Sequence, residues 1–231
     1  MTITFDTATA HIQHTLGGEL SQDIDTLSVI NDAGSYMTSM YPWRWLEEAA
    51  TLAALTSGSS TALPTGFVEL VGYTPRGMDS RVTGSQAFLV SPQELEDMSN
   101  SSQTLPLDTA YIAIVYTTTS GTTIPTPVLD VYGNGTLPTI KIRYRKNWTQ
   151  ITTSAGTGSL FAVPEWTEAL YIQVLRAFAR GLEEEDVGSL NARLGEIQAG
   201  PQFAAAVSRD SLIESTTLRT YARPTPVSPA T

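Results

Sequence analysis

The sequence predicts an α+β protein. N- and C-terminal helices form a helical bundle, an antiparallel β-rich subdomain is inserted between them, and an extended arm ends the chain. Three observations predict this. Apolar residues recur every three or four positions at both ends, which is helical spacing. Between about 49 and 150 that period gives way to short β-rich stretches separated by turn residues. The last residues carry Pro224, Pro226 and Pro229, which favour an extended chain. The parts are 1–48 (N-terminal helical part), 49–150 (inserted β-rich subdomain), 160–213 (C-terminal helical part) and 214–231 (Pro-rich arm). Neither helical end can bury its apolar face alone, so the two are expected to pack together.

The first period runs through Ile12, Leu16, Leu20, Ile24, Leu27, Ile30, Ala33, Met37 and Met40. Gly17-Gly18 interrupts it, since each glycine weakens a helix by about 1 kcal/mol relative to Ala. A short first helix, a break and a longer helix over about 21–41 follow. Pro42 disfavours a helical Tyr41 and sets the stop. Strands are expected at 51–55, 67–73, 88–90, 111–116, 128–132 and 139–144, with a turn at Leu63-Pro64-Thr65-Gly66-Phe67. Gly133-Asn134-Gly135 reads as the turn of a hairpin over 128–146. Ser91 as N-cap and Pro92 at the first helical position predict one helical turn over 92–98. After 154–158, Pro164 with Glu165 and Glu168 opens a helix. Leu170, Val174, Phe178 and Leu182 continue its face. Leu190, Leu194 and Ile197 lie on a following segment, which Gly200-Pro201 interrupts.

The chemistry of the chain is sparse. It has no cysteine, so disulfides and thiolate metal sites are excluded. The only histidines, His11 and His14, share a helix face but have no further ligand nearby, so they read as a surface pair. No Gly-x-Ser-x-Gly elbow occurs, and Gly156-Thr-Gly158 lacks the rest of a dinucleotide fingerprint. Catalytic, cofactor and metal sites are therefore none. No apolar run reaches the roughly 18–20 residues of a membrane span, and the N-terminus does not read as a signal peptide. The formal net charge is −10, with 41% hydrophobic and 16% charged residues. Such a chain is a poor wrapper of nucleic acid, because binding depends on neutralising phosphates. Its two lysines, Lys141 and Lys146, lie in one strand, where Lys141, Arg143 and Arg145 share a face by alternation. That face is either the wet side of a half-buried strand or one half of an intersubunit contact. Its counterpart would be Glu183, Glu184, Glu185 and Asp186, which also read as a solvated helix end or as a repulsive wall facing a polyanion. Trp43, Trp45, Pro64, Phe67 and Trp166 are the structural candidates, with Trp45 and Trp166 expected to pack where the helical and β parts join.

Several motifs recur in a recognisable order. Ile30-Asn31-x-Ala33 leads to Pro42-Trp43-x-Trp45-Leu46, then to Leu63-Pro64-x-x-Phe67-Val68-Glu69-Leu70 and Ser91-Pro92-Gln93-Glu94-Leu95. Pro127-Val128-Leu129-x-Val131-Tyr132 and Ile140-x-Ile142-Arg143-Tyr144 follow. Val163-Pro164-Glu165-Trp166-x-Glu168-Ala169-Leu170 runs into Ala177-x-Ala179-Arg180 and the acidic residues. In this order, over about 12–210, the chain resembles the head-to-tail adaptor, or connector, proteins of tailed bacteriophages. Gly200-Pro201 departs from the unbroken C-terminal helix of that pattern. The resemblance implies a structural virion protein without catalysis: a homo-oligomeric ring, commonly a dodecamer, in the neck beneath the portal protein. It implies a platform for a tail or nozzle protein, a channel through which DNA passes, and assembly in the host cytoplasm. It also makes the C-terminal residues Arg219, Tyr221, Arg223, Pro224, Pro226 and Pro229 candidates for a portal-binding arm. The rival readings are a head-closure or tail-completion ring protein, and a module whose Thr/Ser-rich β region binds carbohydrate.

Overall fold

The computed structural model describes residues 3–18, 25–52, 56–74, 86–101, 105, 109–118, 125–134, 140–152, 163–184 and 186–218. The chain divides into two compact units, Met1–Trp45 with Trp148–Thr231, and Leu46–Asn147. The first is helical and the second is β-rich.

In the helical unit, α1 (Phe5–Thr15) starts where the Thr4 hydroxyl accepts from the Thr7 N–H. It buries Phe5, Ala8 and Ile12, one face at helical spacing. It ends at Gly17 and Gly18, whose φ of 83° and 99° ordinary residues rarely adopt. Helix α2 (Thr26–Met40) is capped by Asp25, whose carboxylate accepts from the Leu27 N–H. Tyr41 is extended (φ −154°, ψ 148°), as the following proline requires.

Helix α4 (Glu165–Glu184) is the centre of this unit. Helices α1, α2, α5 (Val187–Gln198) and α6 (Pro201–Leu218) all pack on it. Leu170, Tyr171, Val174, Leu175 and Ala179 are among its buried residues. The N- and C-terminal helices thus share one core. Gly200 separates α5 from α6, and Pro201 opens α6 at the position where its missing N–H costs nothing. Helix α6 runs on to Leu218, so residues 214–218, expected in the extended arm, are helical. The prolines that stop a helix begin only at Pro224.

The β unit holds two sheets. Strands β1 (Glu47–Leu52), β3 (Phe67–Thr74) and β7 (Ile140–Lys146) form one, in the order β1-β7-β3 and antiparallel throughout. Strands β2 (Ser60–Ala62), β4 (Gln86–Leu89), β5 (Thr109–Thr117) and β6 (Thr126–Gly133) form the other, in the order β2-β6-β5-β4. Leu52, Ile140, Ile142 and Tyr144 of the first sheet and Ala110, Ile112, Leu129 and Val131 of the second belong to one buried cluster. The period-two alternation of β7 is plain: Ile140, Ile142 and Tyr144 are buried, Lys141 and Arg143 exposed.

Several expectations about the β unit are refined. The 128–146 hairpin does not form, since β6 pairs with β5 and β2 while β7 pairs with β1 and β3. The reason lies at Gly133-Asn134. The Asn134 N–H donates to the Thr109 carbonyl (3.1 Å) and its side chain to the Leu105 carbonyl (2.8 Å), which holds this point against β5. A Cβ on Gly133 would lie 2.9 Å from the Thr109 oxygen, so that glycine serves close strand approach. Most described strand pairs are antiparallel, as expected; β4 and β5 are parallel, joined through α3 (Pro92–Asn100) as a parallel pair requires. Helix α3 itself is nine residues long, with the Ser91 hydroxyl accepting from Glu94 N–H, rather than one turn. Strand β1 starts at Glu47, ahead of the strand expected at 51–55, because two charged residues there hide the strand pattern. Strand β2 lies in a Ser/Thr-rich stretch with no apolar signal.

Candidate functional site

Described residues offer surfaces and clamps rather than a reactive centre. The most elaborate clamp is on α2. Asn31 is buried. Its Nδ2 donates to the Ile151 carbonyl (2.9 Å), and its Oδ1 accepts from the Ile151 N–H (2.8 Å) and from Trp148 Nε1–H (3.2 Å). The Trp148 ring lies over Gly34, where a Cβ would come within 2.2 Å of it. The ring's other neighbour is Tyr171, stacked at 5.9 Å, whose hydroxyl donates to the Ile30 carbonyl (3.2 Å). Burial pushes the Tyr171 hydroxyl's pKa far up, so it stays a neutral donor. One turn of α2 therefore fixes the chain where it re-enters the helical unit.

The Pro42-Trp43-Arg44-Trp45 turn is held by a second clamp. Trp43 is fully buried, donates to the Met37 carbonyl (2.7 Å), and meets Tyr41 and Phe203 edge-on at 5.0 and 6.2 Å. The Arg44 N–H donates to the carboxylate of Asp210 (2.9 Å), a fully buried residue on α6. Trp45 and Trp166, expected to pack at the junction, are each half-buried, with an indole N–H that is buried and meets no acceptor. The buried tryptophans are Trp43 and Trp148.

The basic strand β7 is matched within its own sheet. Arg143 pairs with Glu47, Arg145 with Glu69, and Lys146 with Glu48. Tyr144 donates to the other oxygen of Glu48 (3.0 Å). The hydrogen bonds from Lys146 and then Tyr144 hold the Glu48 carboxyl below its ordinary pKa. Burial, and then the bond to Glu48, raise that of Tyr144. Phe67 stacks on Tyr144 at 5.8 Å, after a turn in which the Phe67 N–H donates to the carbonyl of the half-buried Pro64 (3.1 Å).

The acidic residues are spread over two helices. Glu183 is exposed near the end of α4 and Glu184 closes that helix. Asp186 caps α5 by accepting from the Gly188 N–H (2.9 Å). Glu185 lies outside the described residues, as do Arg219, Tyr221, Arg223, Pro224, Pro226 and Pro229. His11 sits beside Arg176 (3.3 Å). Partial burial, then the Arg176 charge, lower its pKa. No group of three or more potential ligands that could hold a metal occurs among the described residues, and no described helix is long and apolar enough to cross a membrane.

With these surfaces described, sequence comparison identifies the family. The model of the SU10 adaptor protein family matches residues 3–230, nearly the whole chain. The chain belongs to that family. It is a structural adaptor of a bacteriophage virion, and an adaptor works by contacting other virion proteins. No curated protein sequence matches the chain. The clamp residues Asn31, Gly34, Trp148, Tyr171 and Asp210 had no assigned role in the sequence. A signal existed for one: Asn31 is a helix-interior polar residue next to the apolar Ile30 and Ala33, where a side chain that competes with the backbone needs a reason.

Proposed function

We propose that this adaptor is the head-to-tail adaptor of its virion: a homo-oligomeric ring, a dodecamer, that docks under the portal in the neck. The ring presents a platform to the tail or nozzle protein and surrounds the DNA channel. The observation that carries this reading is the family match over residues 3–230. Charge supports it. A ring around moving DNA must not grip it, and this chain has a net charge of −10. Arg143, Arg145 and Lys146 are each engaged by a carboxylate of their own sheet, which leaves those cations less available to phosphates. The same pairing argues against β7 as the partner of the acidic run across a subunit boundary. We assign Glu183–Asp186 instead to repulsion of a polyanion. The arm beyond Leu218, with Arg219, Tyr221 and Arg223 and its three prolines, is assigned to the portal, since a proline-rich segment loses less entropy on docking.

The test is a reconstruction of the virion neck or of the portal with this protein bound. A closed ring directly on the portal is the expected result. A ring one layer lower would make the protein a head-closure component. A single copy outside the neck, or a lumen lined mainly by arginine, overturns the reading.

A further inference from the structure

The only two histidines of the chain, His11 and His14, lie one turn apart on α1. Helix α1 packs mainly on α4 and less on α2. Phe5, Ala8 and Ile12 form its buried face, and His11 is half-buried beside them. Opposite His11 stands Arg176 of α4, with Nη2 3.3 Å from the imidazole Nδ1. A guanidinium only donates, and it keeps its charge at any pH the protein meets. Nδ1 must therefore accept, which requires a neutral ring with its proton on Nε2. Protonation of the ring takes that acceptor away. Two cations then face each other where one hydrogen bond stood.

We propose that the His11–Arg176 contact is a pH-sensitive latch, which holds α1 on α4 while the imidazole is neutral and loosens α1 once it is protonated. Burial, the Arg176 charge and then His14 oppose a positive ring, whereas Glu168 of α4 favours one and is the weakest of these influences. On α2 the titratable residues are Asp32, which is exposed and accepts from Ser28, and Tyr36, whose ring meets Phe178 edge-on. The folded-state pKa of His11 lies below the ordinary 6.5, so the latch is whole above that value and is lost as pH falls from it through the folded one. Phe5, Ala8 and Ile12 do not titrate, so the change is a local opening of α1 rather than unfolding of the bundle. The latch is independent of the adaptor reading, because it rests on the α1–α4 contact alone.

The test is nuclear magnetic resonance of the full chain between about pH 7.5 and about pH 5, the range in which imidazoles change charge. The ring nitrogen shifts of His11 should show a bare Nδ1 and a protonated Nε2 at the upper end. Amide hydrogen exchange in α1, corrected for its intrinsic pH dependence and normalised to α2, should quicken about two- to fivefold toward the lower end, the scale of one partly exposed charge contact. His11→Gln keeps an oxygen acceptor for Arg176 and cannot be charged, so the acceleration should disappear. Arg176→Gln should shrink it and raise the pKa of His11 toward the ordinary value, while His14→Gln should keep it. Arg176 is exposed, so Arg176→Gln decides the matter even where His11→Gln disturbs the helix. No acceleration in the unaltered chain, an acceleration undiminished in His11→Gln or Arg176→Gln, or a protonated Nδ1 on the neutral ring would overturn the proposal.

Discussion

Asn31 and Ile151, 120 residues apart in sequence, exchange two hydrogen bonds, side-chain amide to backbone carbonyl and backbone N–H to side-chain oxygen. With Trp148 as a third donor, one asparagine does locally what a β-ladder does by repetition. Asn31→Leu should leave the Ile151 and Trp148 donors without their acceptor. Each buried unsatisfied group costs about 1–3 kcal/mol, so a loss of about 2–4 kcal/mol is expected. Equilibrium denaturation measures it, and an unchanged midpoint would remove the clamp from the stability of the helical unit.

Gly34→Ala tests the other side of the same clamp. The new Cβ would overlap the Trp148 ring, which also stacks on Tyr171. Overpacking of this kind costs typically about 1–3 kcal/mol. The indole fluorescence should report the displaced ring. Gly195→Ala is the control, because nothing lies within 4 Å of a Cβ there; on a helix that change should stabilise slightly.

The tryptophans should separate by burial. Trp43→Ala removes a fully buried ring that Tyr41 and Phe203 contact edge-on, and should cost about 3–5 kcal/mol. Trp45→Ala and Trp166→Ala remove half-buried rings whose N–H groups are already unpaired, and should cost clearly less. Thermal unfolding of the three variants ranks them. Equal losses would contradict the packing seen around Trp43.

These contrasts show what the sequence makes legible. Helix periods, caps and stops are written locally, so Ser91, Pro42 and Pro164 marked their elements correctly. Strand partnership is not local. Gly133-Asn134 has a hairpin's composition, but its hydrogen bonds go to Leu105 and Thr109, and no short-range pattern encodes that choice. Strand β2 escaped notice because three Ser/Thr/Ala residues carry no apolar alternation. The basic face of β7 was legible as a face, but the carboxylates that neutralise it come from β1 and β3, far away in sequence.

The cross-strand charge pairs should contribute little. Arg143 is 63% exposed in its side chain and Glu69 53%, and surface pairs of this kind are worth about 0–1 kcal/mol. Glu48 adds a small pH dependence. Its folded-state pKa lies below the ordinary 4.5, so its contribution is present above that value and is lost as pH falls through the folded value. Glu48→Gln should therefore flatten the acid limb of stability below about pH 5 and change little near neutrality. A large loss at neutral pH would show that the pair is structural.

The acidic run and the arm can be tested apart because the proposed function assigns them to different partners. Glu183→Gln with Glu184→Gln removes charge near the end of α4 without touching the Asp186 cap of α5. Folding should be unchanged. Retention of double-stranded DNA in a low-salt mobility assay should rise, and the gain should vanish by about 0.15 M salt, the signature of reduced phosphate repulsion. Truncation after Leu218 leaves every described helix whole and should leave the unfolding midpoint in place. Its effect should appear in co-sedimentation with portal protein, as a loss of about tenfold or more in affinity, since an ordered arm adds contacts that the folded body does not make. If truncation leaves portal binding intact while the glutamine variant weakens it, the roles are reversed: the acidic end of α4 would be the docking surface and the arm would belong to another interface.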